Sequence, residues 1–267
     1  MQLQQTFTLE GKPDPQQISF FHEFGFIHYK HVFSTEQVAA MLQEIERIEQ
    51  SWLSAGYQKV NGIPIKYGRD EHGRPIIQRF AFTSLYSGYL HGLLAEERMQ
   101  NLKYFIGPEA RLTENERDGM VVNHYVNNED SRYTRLGWHT DGARDLFTHF
   151  RLDPMLNVGI SLDDSGLHNG GLRLIPGSHR MGVFKMLFYK KYFVDNKPDK
   201  REICVETEAG DVTVHSGRLW HRVAMSPVKG ITTHRRVSYV PVIAGKYKPK
   251  SEHSATPFYH RFQHLIK

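Results

Sequence analysis

A histidine and an aspartate stand two residues apart between glycines at Gly137-Trp138-His139-Thr140-Asp141-Gly142. On an extended strand, residues i and i+2 project from the same face. His139 and Asp141 can therefore offer an imidazole nitrogen and a carboxylate oxygen to one metal ion. A second histidine from far along the chain would complete a two-histidine, one-carboxylate set, which leaves positions open on a non-haem Fe(II) for a co-substrate and O2. The tripeptide by itself is a weak sign, because a motif this short recurs by chance. A strand-end histidine beside a turn carboxylate reads the same way. Two histidines downstream, His215 and His221, are available as the third ligand, both within Gly210-Asp-Val-Thr-Val-His-Ser-Gly-Arg-Leu-Trp-His221.

These residues need elements to hold them. Pro13-Asp14-Pro15 opens a helical pattern through Ile18, Phe21 and Phe24 that stops at Gly25, and Phe26 to Tyr29 reads as a strand. Ser34 followed by Gln37 has the form of a capping box, and Val38, Met41, Leu42, Ile45, Ile48 and Trp52 follow at helical spacing. Glu44, Glu46, Arg47 and Glu49 fall on the opposite, solvated face. Residues 62–67 and 75–80 are β-rich runs around a polar, glycine-bounded loop, which predicts a hairpin carrying Lys66, Arg69, Arg74 and Arg79. Short helices are expected at Tyr86 to Leu94 and Arg98 to Phe105. Beyond Pro108 the pattern turns to strands: 119–126, the His-x-Asp stretch, 156–162, 172–175, 202–206, 211–215 and 236–242. An excursion at 181–203, helical from Val183 to Tyr192, interrupts them. Early helices and late strands indicate a mainly β domain, a barrel or sandwich with helices packed on one side. No repeat or linker is visible, so 1–267 reads as a single domain.

Composition narrows the class. A chain of 267 residues with 39% hydrophobic and 12% aromatic content has the length and the side chains for a folded core. No basic segment followed by an apolar run opens the chain, and no apolar stretch is long enough to span a bilayer. The single Cys204 fits a reducing compartment. A cytoplasmic location is the expectation. The formal charge of +5 is scattered apart from Lys246 to Lys250, with no basic groove lined by aromatics. A small-molecule partner is therefore favoured over nucleic acid.

The order of motifs identifies a family. His139-Thr-Asp141, Asn169-Gly-Gly-Leu-Arg-Leu-Ile-Pro-Gly-Ser-His179, Gly210-Asp211 leading to a histidine on the next turn, and an arginine on the strand after it occur in one sequence. That order resembles the phytanoyl-CoA dioxygenase-like Fe(II)/2-oxoglutarate oxygenases. Phe24-Gly25-Phe26 followed by a capped helix is similar to the family's opening. The resemblance runs from about residue 15 to 243 and is most specific from 137 onward. It implies a double-stranded β-helix, the jelly-roll or cupin-like barrel, with Fe(II) at its mouth. His139, Asp141 and His221 would be the ligands, the last because the family's ligand is the histidine of the second position, after Leu219-Trp220. His215 would then be a satisfied barrel histidine. The implied co-substrates are 2-oxoglutarate and O2, and the implied activity is hydroxylation of an unactivated C–H bond. The far carboxylate of 2-oxoglutarate calls for a desolvated guanidinium fork. Arg235 and Arg236 both qualify, and alternation allows only one to point inward. The Arg236-Val-Ser238 spacing, which puts a hydroxyl on the same face, ranks Arg236 first. An intact Asp141 argues against halogenation and for hydroxylation, desaturation or ring closure.

Two other readings use the same residues. A mononuclear metal barrel, with Zn and a bound water, would do hydrolase or isomerase work. A non-catalytic binding module would keep the barrel alone. Neither accounts for three ligands together with the arginine. The segments 62–80 and 181–203 are the expected lids, since specificity concentrates on loops around a rigid scaffold. Their lysines, arginines and tyrosines suit a small polar or anionic metabolite, while Phe184, Phe188, Tyr189 and Tyr192 equally allow a hydrophobic one. Helix packing is the first expectation for those four aromatics, and the core for Trp138 and Trp220.

Overall fold

The computed structural model describes residues 3–131, 133–143, 152–230 and 234–257. Helix α1 (Pro15–Phe24) starts where the Asp14 carboxylate accepts the Gln17 amide at 2.8 Å, with proline at the first helical position, and ends at Gly25 in the left-handed conformation. Strand β1 (Phe26–Tyr29) follows. Helix α2 (Thr35–Ala55) has the reciprocal Ser34–Gln37 capping box that the sequence predicts, and buries Val38, Met41, Ile45, Ile48 and Trp52 as one stripe. One residue of its polar face departs from expectation. The Glu49 carboxylate accepts the Ile77 backbone N–H at 2.5 Å, and burial pushes its pKa up to about 7.

The hairpin consists of β4 (Lys66–Arg69) and β5 (Pro75–Phe80), preceded by the short pair β2 (Lys59–Val60) and β3 (Ile63–Pro64). Helices α3 (Gly88–Ala95) and α4 (Glu97–Asn101) lead to β6 (Arg111–Leu112), β7 (Val121–Tyr125) and β8 (Leu136–His139). Then come β9 (Met155–Ser161), β10 (Gly171–Leu174) and α5 (Val183–Phe188). The last strands are β11 (Ile203–Val205), β12 (Val212–Ser216), β13 (His221–Ala224) and β14 (Arg235–Ile243). Helix in the excursion stops at Phe188, four residues short of the expected Tyr192.

These strands form two antiparallel sheets. The larger runs β1-β12-β9-β14-β7-β5-β4, with β6 beside β14, and the smaller runs β11-β10-β13-β8. Among the described residues no strand ladder joins the two sheets, so the jelly roll is an open sandwich rather than a closed barrel. The outer face of the larger sheet carries Val122, Val158, Ile160, Val212, Val214, Val240 and Val242, packed with α1 and α2 into the main core. The outer face of the smaller sheet carries Trp138, Ile175 and Trp220, covered by Met181, Tyr189 and Tyr192. Both tryptophans are thus core residues, as expected. Phe184 and Phe188 are not: at 82% and 81% exposed they stand off the protein. The 181–203 segment packs through its tyrosines instead.

The Gly210-Asp211 motif serves the fold. Asp211, with no exposed surface, accepts His28 Nε2 and the backbone amides of His31 and Glu208, each at 2.9 Å. Burial would raise its pKa, but the His28 bond and the two amides outweigh it and hold the carboxyl down to about 2, from 3.8. Because the folded value lies below the unfolded one, this stabilisation is complete above about pH 4 and disappears as pH falls through about 2. Asp211→Asn should therefore cost about 1–2 kcal/mol in urea unfolding at pH 7. The gap from wild type should shrink steadily below pH 4; a constant gap would assign the cost to packing.

Candidate metal centre

Strand β8 delivers His139 and strand β13 delivers His221, and the ladder pairs the two residues directly. Asp141 lies just past the end of β8, in a turn held by the Gly142 amide bonding to the Gly217 carbonyl at 2.7 Å. One potential ligand atom from each of His139, Asp141 and His221 lies within 4.8 Å of the others. The Nε2 atoms of His139 and His221 are each 3.7 Å from an Asp141 oxygen.

The hydrogen bonds fix which nitrogens carry the proton. Each Nδ1 faces a backbone carbonyl, His139 that of Gly137 at 2.8 Å and His221 that of Leu219 at 2.9 Å. A carbonyl only accepts, so each Nδ1 carries the proton and each Nε2 lone pair points at Asp141. Burial, reinforced by neighbouring His139, holds the His221 pKa well below its usual value, which keeps that ring neutral. Burial would raise the Asp141 pKa, but the surrounding His221, His215 and His139 imidazoles hold it well below the carboxylate range. Two neutral imidazoles and one carboxylate form a donor set that fits a divalent cation. Asn157 Nδ2 donates to Asp141 Oδ2 at 3.1 Å and orients the carboxylate.

His215 departs from expectation. It is 1% exposed, and neither ring nitrogen has a hydrogen-bond partner, so it is not a satisfied histidine. Its Nε2 lies 3.4 Å from Asp141 Oδ2, and its ring is 4.5 Å from that of His221. It borders the three donors without joining them.

The two arginines face opposite ways. Arg235 is 3% exposed, shares the inward face of β14 with Val237 and Tyr239, and lies 4.5 Å over the Tyr125 ring. No carboxylate among the described residues pairs with it, and its Nε has no hydrogen-bond partner. Burial lowers its pKa, the mark of a cation without a counter-ion. Arg236 is committed elsewhere: Nε and Nη2 bond to the two oxygens of Asp163 at 2.8 and 2.7 Å. Ser238 shares the Arg236 face, opposite Val122 and Ile160 and under the helices, away from the metal ligands. Alternation decided this, and a signal existed. Val240 and Val242 share the parity of Arg236, and an apolar run marks the helix-covered face. A narrow cavity lined by Arg235, Val237, Tyr239, Ser161 and Thr213 lies between the sheets, with the Asp163–Arg236 pair at its wall.

Sequence reading missed Asn157 and Phe193. The Phe193 ring stacks on His139 at 4.8 Å with 25° between planes. Its amide bonds to the Trp138 carbonyl at 2.8 Å, and the Trp138 amide returns a bond to Asp195 at 2.9 Å. This close approach explains Gly137, where a Cβ would collide with the Phe193 carbonyl. Phe193 is held at φ +60°, a conformation that costs a non-glycine residue about 1–2 kcal/mol. Tyr192 extends the grip, its hydroxyl 2.9 Å from Thr140 Oγ1 and its ring 4.6 Å from Trp220. No local motif announces either aromatic, because the contacts are long-range.

Comparison with known proteins agrees with this geometry. The family model described as Phytanoyl-CoA dioxygenase (PhyH) matches residues 21–224, which include all three donors and end before Arg235. A probable alpha-ketoglutarate-dependent hypophosphite dioxygenase of Stutzerimonas stutzeri is 26% identical over 60% of the chain and 51% of its own length. An ectoine dioxygenase of Bordetella parapertussis is 24% identical over 76% of the chain and 64% of its own length. The chain thus spans between half and two-thirds of these relatives. The solved structure of EctD from S. alaskensis with 2-oxoglutarate and 5-hydroxyectoine superposes with a TM-score of 0.64 at 18% identity, covering 96% of this chain and 86% of that one. That likeness establishes the shared fold. With the family model matched over most of its length and across the whole donor set, the chain belongs to the phytanoyl-CoA dioxygenase family.

Proposed function

We propose that the chain is an Fe(II)- and 2-oxoglutarate-dependent dioxygenase acting on a small polar or anionic metabolite, with His139, Asp141 and His221 as the iron ligands and Arg235 as the seat of the 2-oxoglutarate far carboxylate. The observation that carries this reading is the convergence of two groups in one interior: two histidines and a carboxylate whose ligand atoms lie within 4.8 Å of one another, and a buried guanidinium with no carboxylate partner among the described residues. When bound, Fe(II), 2-oxoglutarate and O2 supply the oxidising power to break an unactivated C–H bond. The protein's part is positioning. The Gly137 and Leu219 carbonyls set the imidazole tautomers, Asn157 turns the carboxylate, and Phe193 closes one side of His139. Tyr125 stacks under the guanidinium.

The hypophosphite and ectoine dioxygenases are named for small molecules, which supports a substrate of that size. An intact Asp141 supports hydroxylation, with desaturation or ring closure open to the same donor set. We read the chain as one domain, with the β4–β5 hairpin and the 181–203 segment bounding the substrate space. Among the described residues no helix is long and apolar enough to cross a membrane.

Anaerobic titration of the Fe(II)-loaded protein with 2-oxoglutarate tests the reading. A weak visible charge-transfer band that saturates with 2-oxoglutarate is the expected result. Tight Zn(II) binding with a hydrolytic activity and no such band would replace it with the zinc-barrel reading, and absence of any metal binding with the binding-module reading.

A further inference from the structure

The hairpin at 62–80 brings four cations to the edge of the larger sheet, and three of them are committed. Arg74 Nε bonds to Asp70 at 2.7 Å, Arg79 Nη2 bonds to Asp118 at 2.6 Å, and Arg69 Nη1 bonds to the Gly73 carbonyl at 2.5 Å. Lys66 differs. It pairs in register with Arg79, whose neighbour in β7 is Asn123, and Asn123 in turn faces Val237 of β14. Lys66 is therefore on the inward face of the sheet, the face that carries Arg235. It is partly buried, and among the described residues it has no carboxylate or hydrogen-bond partner. Its contact is the Tyr133 ring, with Nζ 4.6 Å from the centroid.

Tyr133 places Lys66 relative to the site. Its ring stacks on Tyr125 at 4.7 Å with 16° between planes, and Tyr125 lies beneath Arg235 at 4.5 Å. Each ring gives one face to the other ring and the remaining face to a cation. Among the described residues the inward face thus carries two cations with no carboxylate partner, Arg235 and Lys66, one at each end of the two-tyrosine stack. A single short dicarboxylate with one end on the metal can place its other end on only one of them. The second cation calls for a second anion.

We propose that Lys66 is a specificity-determining residue that binds an anionic group of the primary substrate, a carboxylate or another small oxyanion, at the end of the Tyr125–Tyr133 stack away from Arg235. This rests on the oxygenase reading above and adds to it the charge of the substrate and the residue that recognises it. Lysine is suited to the task because its ammonium is a compact charge that accepts an oxyanion from many directions. Burial, then the neighbouring Arg79 guanidinium, push the Lys66 pKa down to about 7, and an anion beside it would drive it back up. The groups facing it are Arg79 from β5 and Tyr133 from the segment before β8, with Asp118 neutralising Arg79.

The test uses the full chain loaded anaerobically with metal and saturated with 2-oxoglutarate, so that the co-substrate seat is filled. Hypophosphite, phosphate and acetate are titrated calorimetrically above pH 7, in buffers of different ionisation enthalpy. The expected result is saturable binding of at least one probe with uptake of close to one proton. Lys66→Gln should weaken that binding by about 10-fold or more and abolish the uptake, with 2-oxoglutarate affinity unchanged. Lys66→Arg should keep the binding without the uptake. The proposal is overturned if no probe binds the wild type, or if Lys66→Gln binds it equally. Loss of 2-oxoglutarate affinity in Lys66→Gln would assign the lysine to the co-substrate instead. Failure of the oxygenase reading would show separately, as a wild type that binds no 2-oxoglutarate with its metal.

Discussion

His139→Ala is expected to cut divalent-metal affinity by at least about 100-fold, since even partners outside the ligand set are worth about 10–100-fold, and to eliminate the 2-oxoglutarate-dependent visible band. Stability without metal should fall by no more than about 0.5–3 kcal/mol, the usual range for a single substitution. The two effects separate in one measurement. Metal at 100 times its dissociation constant stabilises the folded state by about 2.7 kcal/mol, a rise in Tm of about 5–10 °C for a chain of this size. Wild type should show that rise and His139→Ala should not. His215→Ala is the control. Its Nε2 approaches Asp141 without joining the three donors, so most of the metal-induced rise should survive. Loss of the rise in His215→Ala with retention in His221→Ala would exchange the two histidines.

Arg235→Ala carries the second large effect. Removing one partner of a buried charge pair costs about 2–5 kcal/mol, which corresponds to a 2-oxoglutarate dissociation constant raised about 30-fold to several thousand-fold. Arg235→Lys should fall between, keeping the charge and losing the fork. Arg236→Ala should move the same constant by no more than about 3-fold, because that guanidinium is already neutralised by Asp163; its cost should appear in stability, at about 1 kcal/mol for a partly exposed pair. A further sign distinguishes the two. In the absence of 2-oxoglutarate, Arg235 is a desolvated cation with no carboxylate partner among the described residues, so Arg235→Met should leave the metal-free protein as stable as wild type or more so. Titration of metal-loaded variants with 2-oxoglutarate, alongside urea unfolding of the metal-free forms, reads both predictions. A large co-substrate defect in Arg236→Ala would transfer the role.

Much of this protein is local, and what is local was legible. The capping box at Ser34, the Gly25 helix end, the α2 stripe and the β4–β5 hairpin depend on residues within a few positions of one another, and each forms as periodicity and turn chemistry predict, except that the hairpin's first strand is Lys66–Arg69 rather than 62–67. His139 and Asp141 were legible as a two-residue spacing, although the strand ends at His139 and the turn beyond it, rather than alternation, brings Asp141 alongside. The pairing of His139 with His221, 82 positions further along the chain, came from the order of motifs, and the β8–β13 ladder supplies its physical basis.

The sequence alone determined the composition of the proposed site, namely the candidate donor types, their order and the two arginines that follow them. Only the tertiary structure decided which of two adjacent arginines faces inward. That depends on which face of β14 the helices cover, a fact set by α1 and α2 packing on Val240 and Val242. It likewise decided that Lys66 alone among the hairpin cations has no hydrogen-bond or carboxylate partner among the described residues, and that Phe193 lies on His139. Those contacts join residues 54 to 67 positions apart, and no local spacing encodes them. Strand alternation says that a side chain faces one way or the other; the sheet and helices packed around it determine which way is in.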